Sequence, residues 1–128
     1  MRIAALSVLP LMLLDVQSAA SQAPTVVNVQ LANFSFTPET ITLEHGRNYI
    51  LRLATVADGG HDFTAPEFFA LAILSAEDRK LVAEGEVEVP PGQVLEIRLS
   101  APAAGSYKLK CGHSFHKMLG MSGKILVR

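Results

Sequence analysis

Beyond residue 24, apolar and polar residues take turns along most of the chain. Val27, Val29 and Leu31 are separated by Asn28 and Gln30, and Ile41 and Leu43 by Thr40, Thr42 and Glu44. Tyr49, Leu51 and Leu53 alternate with Arg52 in a run that reaches Val56; Leu95, Ile97 and Leu99 alternate with Glu96 and Arg98. Val87 and Val89, Tyr107 to Cys111, and Lys124 to Val127 complete the series. A period of two is that of strands with one buried face. Turn residues punctuate the runs: Thr37-Pro38-Glu39, Gly46, Pro90-Pro91-Gly92 and Ala101-Pro102 to Gly105. Short, evenly spaced strands with such breaks predict an all-β antiparallel sandwich or barrel of about seven or eight strands. One stretch departs from the rhythm. Phe68, Phe69, Ala72 and Ile73 recur at helical spacing after Pro66, and Ser75 precedes Glu77 and Asp78 as a cap would. Residues 66–83 are therefore expected to form one or two short helices over an end or edge of the sandwich.

The first residues follow another logic. Arg2 gives a short positive start, Ile3 to Leu14 is almost wholly apolar, and small residues follow in Ser18-Ala19-Ala20 and Ser21-Gln22-Ala23. This is the pattern of an export signal spanning residues 1–23, cleaved after Ala20 or Ala23, ahead of one domain at 24–128. The apolar run of about twelve residues is shorter than the ~20 needed to cross a bilayer. A buried N-terminal helix or an uncleaved anchor is the alternative. No later stretch is long and apolar enough for a membrane span, so the mature chain is expected to be periplasmic or otherwise exported, and monomeric.

Charge adds little. Lys and Arg number 11 against 12 Asp and Glu, for a net −1. Removing the leader takes away Arg2 and Asp15, one of each sign, and leaves that balance unchanged. A nucleic-acid partner would call for a basic face, and there is none in the sequence.

The cysteine count changes the picture. Cys111 is the only cysteine, so an exported chain would carry a thiol with no partner for an internal disulfide. It stands at the head of Cys-Gly-His-Ser-Phe-His-Lys-Met-Leu-Gly-Met, which presents His113, His116, Met118 and Met121 before Gly123 and the last strand. Thiolate, thioether and imidazole together favour copper. The loop supplies three donors, and His61, after Gly59-Gly60, is the candidate for a fourth. Two imidazoles and a thiolate with a weak axial thioether make the blue-copper set. Cys111 or Met121 as simple core packing, and His61 as an ordinary loop histidine, are the plainer readings.

In the spacing Cys-x4-His-x4-Met, followed by Ser122-Gly123-Lys124 and an apolar strand, the chain resembles the plastocyanin/azurin cupredoxins. His61-Asp62-Phe63 after a glycine-rich turn, Phe34-Ser35-Phe36-Thr37-Pro38 and the Gly46 turn extend the resemblance over roughly residues 26–128. It implies a Greek-key β-sandwich with one copper ion at one end, cycling between Cu(II) and Cu(I). The ligands it implies are His61, Cys111, His116 and Met121. His113 competes with His116; the longer spacing of His116 lets the loop curl around a metal. Met118 is read as packing. The family usually has Asn where this chain has Asp62. A carboxylate there still accepts backbone N–H bonds while altering the field at the metal.

Two functions follow from that set. One is a one-electron carrier with a redox partner protein. The other is a copper carrier or resistance protein that exchanges metal with a copper-handling partner, to which His113, Met118 and Asp62 lend weight. An enzyme is disfavoured. Lys110 and Gly112, not histidines, flank Cys111, as a multicopper oxidase would not have it; no His-x-His pair occurs, and a dinuclear CuA centre needs two cysteines. His45 is read as an exposed turn residue, and Glu84, Glu86 and Glu88 as the solvated side of a strand.

Overall fold

The computed structural model describes residues 22–56, 59–113 and 120–128. Ten strands and two short helices follow one another along them: β1 (Thr25–Ala32), β2 (Ser35–Thr37), β3 (Thr40–Leu43), β4 (Asn48–Thr55), β5 (His61–Thr64), α1 (Pro66–Leu71), β6 (Ile73–Leu74), α2 (Ala76–Arg79), β7 (Glu86–Val89), β8 (Val94–Ser100), β9 (Gly105–Lys110) and β10 (Ser122–Val127). They form two five-stranded sheets, ordered β2-β1-β4-β8-β6 and β3-β10-β9-β5-β7. The β-sandwich expected from the alternation is what the chain adopts, with two departures from strict antiparallel pairing. β1 runs parallel to β4 from Thr25↔Tyr49 to Leu31↔Thr55, and β3 runs parallel to β10 from Thr40↔Lys124 to Leu43↔Val127. Both pairings join segments far apart in sequence, and alternation within a segment carries no information about the direction of its neighbour.

The strand count exceeds the expected seven or eight because β2 and β6 are short edge additions and β5 has no alternating signature. All four residues of β5 are buried. A strand covered on both faces loses the period-two signal that exposes the others. The segment 66–83 is also more divided than expected. Pro66 opens α1 at its first position, and Ser75 Oγ accepts the Asp78 N–H at 3.0 Å to cap α2. Between them Ile73 and Leu74 pair with Ser100 and Leu99 as an edge strand, which leaves Ile73 exposed rather than on a helix's buried side.

The core lies between the sheets. Val29, Leu31, Leu51, Leu53 and Ile97 from one sheet meet Ile41, Leu43, Phe63, Val87, Val89, Leu109, Ile125 and Val127 from the other. Each fully buried large apolar side chain contributes roughly 1.5–3 kcal/mol of transfer free energy. α1 adds Phe68 and Phe69. Edge-to-face contacts run from Phe36 to Phe63 at 6.0 Å, Phe63 to Phe69 at 5.9 Å, Phe69 to Phe68 at 5.4 Å and Phe68 to Tyr107 at 5.7 Å. This aromatic chain fixes β5 from its inner face. His45, exposed as expected, has its Nδ1 2.8 Å from the Pro102 carbonyl oxygen, and its backbone N–H donates to Arg128 O at 2.9 Å, so it ties its turn to the Pro102 turn and to the end of β10.

β10 sits between β3 and β9 and is packed tightly at Gly123. A Cβ there would lie 2.5 Å from the carbonyl oxygen of Glu39, which accepts the Lys124 N–H at 3.0 Å. No side chain fits without moving that backbone. Gly123→Ala is expected to lower unfolding free energy by about 1–3 kcal/mol, seen as a lower urea midpoint at unchanged slope.

Candidate metal centre

Three of the four predicted ligands are described, and all three lie at one end of the β3-β10-β9-β5-β7 sheet. Cys111 directly follows β9, Met121 directly precedes β10, and His61 opens β5. The Cys111 N–H donates to the Met121 carbonyl at 3.2 Å, one step beyond the Ser122↔Lys110 pair, so the ladder itself sets the two sulfur residues side by side. β5 joins β9 through Thr64↔Lys110. The pleat then decides which way each side chain goes. His61 and Phe63 point with Val87 and Val89 toward the core, while Asp62 and Thr64 share the outer face with Glu86 and Glu88. His61 and Cys111 are fully buried and Met121 is 1 % exposed. His116, the fourth candidate, lies outside the described residues, as do Met118, Phe115 and Leu119.

Asp62 binds the two halves of this end together. Its Oδ1 accepts the Gly112 N–H at 2.5 Å and the Thr64 hydroxyl at 2.6 Å. The residue after His61 thus grips the residue after Cys111, as a carboxylate in place of Asn is able to do. Gly112 permits the approach, because a Cβ there would meet Asp62 Oδ2 at 3.0 Å and Oδ1 at 3.3 Å. Asp62 is itself 1 % exposed, and a buried carboxylate needs such donors to offset its lost hydration. Burial pushes the Cys111 thiol up. Hydrogen bonds from the backbone of Asp62 and His113 act the other way, and the charges of Asp62 and Glu88 raise it further.

The donor set fits copper. A thiol sulfur, a thioether sulfur and an imidazole are withdrawn from water, while the adjoining carboxylate, Asp62, faces outward. Phe63, fully buried one residue beyond Asp62, supplies an apolar wall. His113, read from the sequence as a rival of His116, has its Nε2 3.1 Å from Glu88 Oε1 and 3.6 Å from Asp62 Oδ2. It is thus engaged on the outer face. The sequence reading missed Glu88 in this role. Its place in an alternating run is visible, whereas its position opposite Asp62 comes from the β5–β7 register.

The family model described as cupredoxin-like domain matches residues 3–127. No curated protein sequence matches the chain. Among solved structures, the dithionite-reduced auracyanin of the photosynthetic bacterium Roseiflexus castenholzii is 17% identical with a TM-score of 0.59, over 84% of this chain and 99% of its own. Auracyanin B is 14% identical with a TM-score of 0.59, over 88% and 95%. Auracyanin A, a blue copper protein from the green thermophilic photosynthetic bacterium Chloroflexus aurantiacus, is 19% identical with a TM-score of 0.57, over 83% and 100%. At these identities the likeness shows a common fold.

Asp62→Ala is expected to destabilise the metal-free protein by about 1–3 kcal/mol, since it strands a backbone donor. Asp62→Asn keeps an accepting oxygen and should retain most of the stability. Denaturant unfolding of the two variants beside the parent checks this.

Proposed function

The chain belongs to the cupredoxin-like domain family, and on that premise we propose that it is an exported mononuclear copper protein that carries single electrons. The proposed ligands are His61, Cys111, His116 and Met121. One observation carries the reading: an imidazole, a thiol and a thioether at the ends of three different strands are each buried at one end of the sheet. The fold it shares with auracyanin A, itself a blue copper protein, supports the same role.

Copper bound there supplies a one-electron couple between its cuprous and cupric states. The chain's own residues do the rest. Cys111 must give up its proton to bind as thiolate, and His61 binds as neutral imidazole. Ladder hydrogen bonds through Cys111 and Met121, with the Asp62–Gly112 bond, hold the donors in place, so a change of charge calls for little movement. Phe63 and the core behind it exclude water. With four protein donors no position is left open for a substrate, which sets the site apart from a catalytic metal centre. The partner on this reading is a redox protein.

A second reading, copper sequestration or delivery to a copper-handling protein, is favoured by the polar group of His113, Asp62 and Glu88 just outside the pocket. A reversible couple with slow copper loss to a chelator supports the carrier, and fast loss supports delivery.

Cu(II) added to the purified mature protein should produce an intense visible thiolate-to-copper band. Cys111→Ser should abolish it, and His113→Ala should leave it mostly intact. A chain that stays colourless through the titration defeats the proposal, and loss of colour in His113→Ala but not His116→Ala corrects the ligand set. Export is tested separately by the mass of the mature chain, which should begin at Ser21 or Pro24.

A further inference from the structure

The outer face of the same sheet carries a second set of donors. Asp62, Glu88 and His113 each offer one ligand atom, and these atoms all lie within 4.8 Å of one another. His113 Nε2 stands 3.1 Å from Glu88 Oε1 and 3.6 Å from Asp62 Oδ2. Around a tetrahedral ion with bonds of about 2.0–2.1 Å, neighbouring donors are about 3.3 Å apart. The imidazole already stands near that spacing from both carboxylates, and all three donors lie within 4.8 Å of one another.

Charge supplies an independent reason. Asp62 is 1 % exposed, yet no Lys or Arg pairs with it among the described residues. Its two hydrogen bonds, from Gly112 and Thr64, both fall on Oδ1. Oδ2 is left directed at His113 and the cluster, with no hydrogen bond among the described residues. A carboxylate on a nearly buried side chain, set beside a second carboxylate, is costly until a cation neutralises the pair. Glu86, two residues before Glu88 on the same face of β7, adds a further negative charge. Access is open, since the His113 and Glu88 side chains are 38% and 52% exposed.

We propose that Asp62, Glu88 and His113 form a second metal site, outside the copper pocket, that takes a borderline divalent transition-metal ion such as Zn(II) or Cu(II). One imidazole and two carboxylates suit such ions and offer no sulfur to hold Cu(I). Water completes the shell on the solvent side. The inner and outer sites take separate side chains, so this site stands whether or not the inner pocket binds copper.

Zinc is the probe, because it is spectroscopically silent and has no redox change. Calorimetric titration of the mature protein with Zn(II) should show a binding event that persists in Cys111→Ser, which removes the inner thiolate. Glu88→Gln, an exposed and nearly isosteric change, should weaken that event by roughly tenfold or more, since even indirect partners of a metal ligand cost that much. Glu84→Gln, which removes the same charge without removing a donor, should leave it within a few-fold. In the wild type, the ring-proton signals of His113 should move on zinc addition. Equal zinc affinity in wild type and Glu88→Gln overturns the proposal. So does an equal loss in Glu84→Gln, a His113 ring that zinc does not perturb, or the absence of any zinc event outside the inner pocket.

Discussion

At the ligand end of the sandwich, β5 and β9 share a single register pair, and beyond it they are held by the bond from the Gly112 N–H to Asp62 Oδ1. The residue before Asp62 is His61, and the residue before Gly112 is Cys111. That bond therefore fixes the separation of an imidazole and a thiol drawn from distant parts of the chain. Thr64 and the close approach permitted at Gly112 hold the carboxylate in place. The aromatic chain from Phe36 through Phe63 to Phe69 presses β5 from the other side. The strand is thus pinned on both faces, and its alternation turns the imidazole inward and the carboxylate outward.

This sorting sets two kinds of donor on one short strand. His61 is fully buried on the inner side. Asp62, one residue on, looks out toward Glu88 and His113. Because adjacent residues of a strand face opposite sides, the two environments stay separate although the residues are bonded to each other.

Much of the fold was legible because β1, β3, β4, β8 and β10 each have one wet and one dry face. β5 was not, since burial on both faces erases the pattern. The parallel pairings of β1 with β4 and β3 with β10 were illegible for another reason: they depend on how the whole chain closes, not on any local run. At the site, Cys111, Met121 and His61 could be picked out because their chemistry is unusual for an exposed loop or an ordinary core. Glu88 looked like any solvated carboxylate. What gives it a neighbour is the β5–β7 register, a long-range property. His113 was visible as a histidine but its direction was not. A glycine between it and Cys111, together with the Asp62 bond, turns it to the outer face.

The place of β10 has a consequence for assembly. It is the keystone of its sheet, inserted between β3 and β9, both of which are synthesised before it. Until it arrives the sheet stands as two fragments with facing unpaired edges, and the residue that brings the thioether is still outside. The thioether of Met121 thus joins the sheet's end only with this central strand.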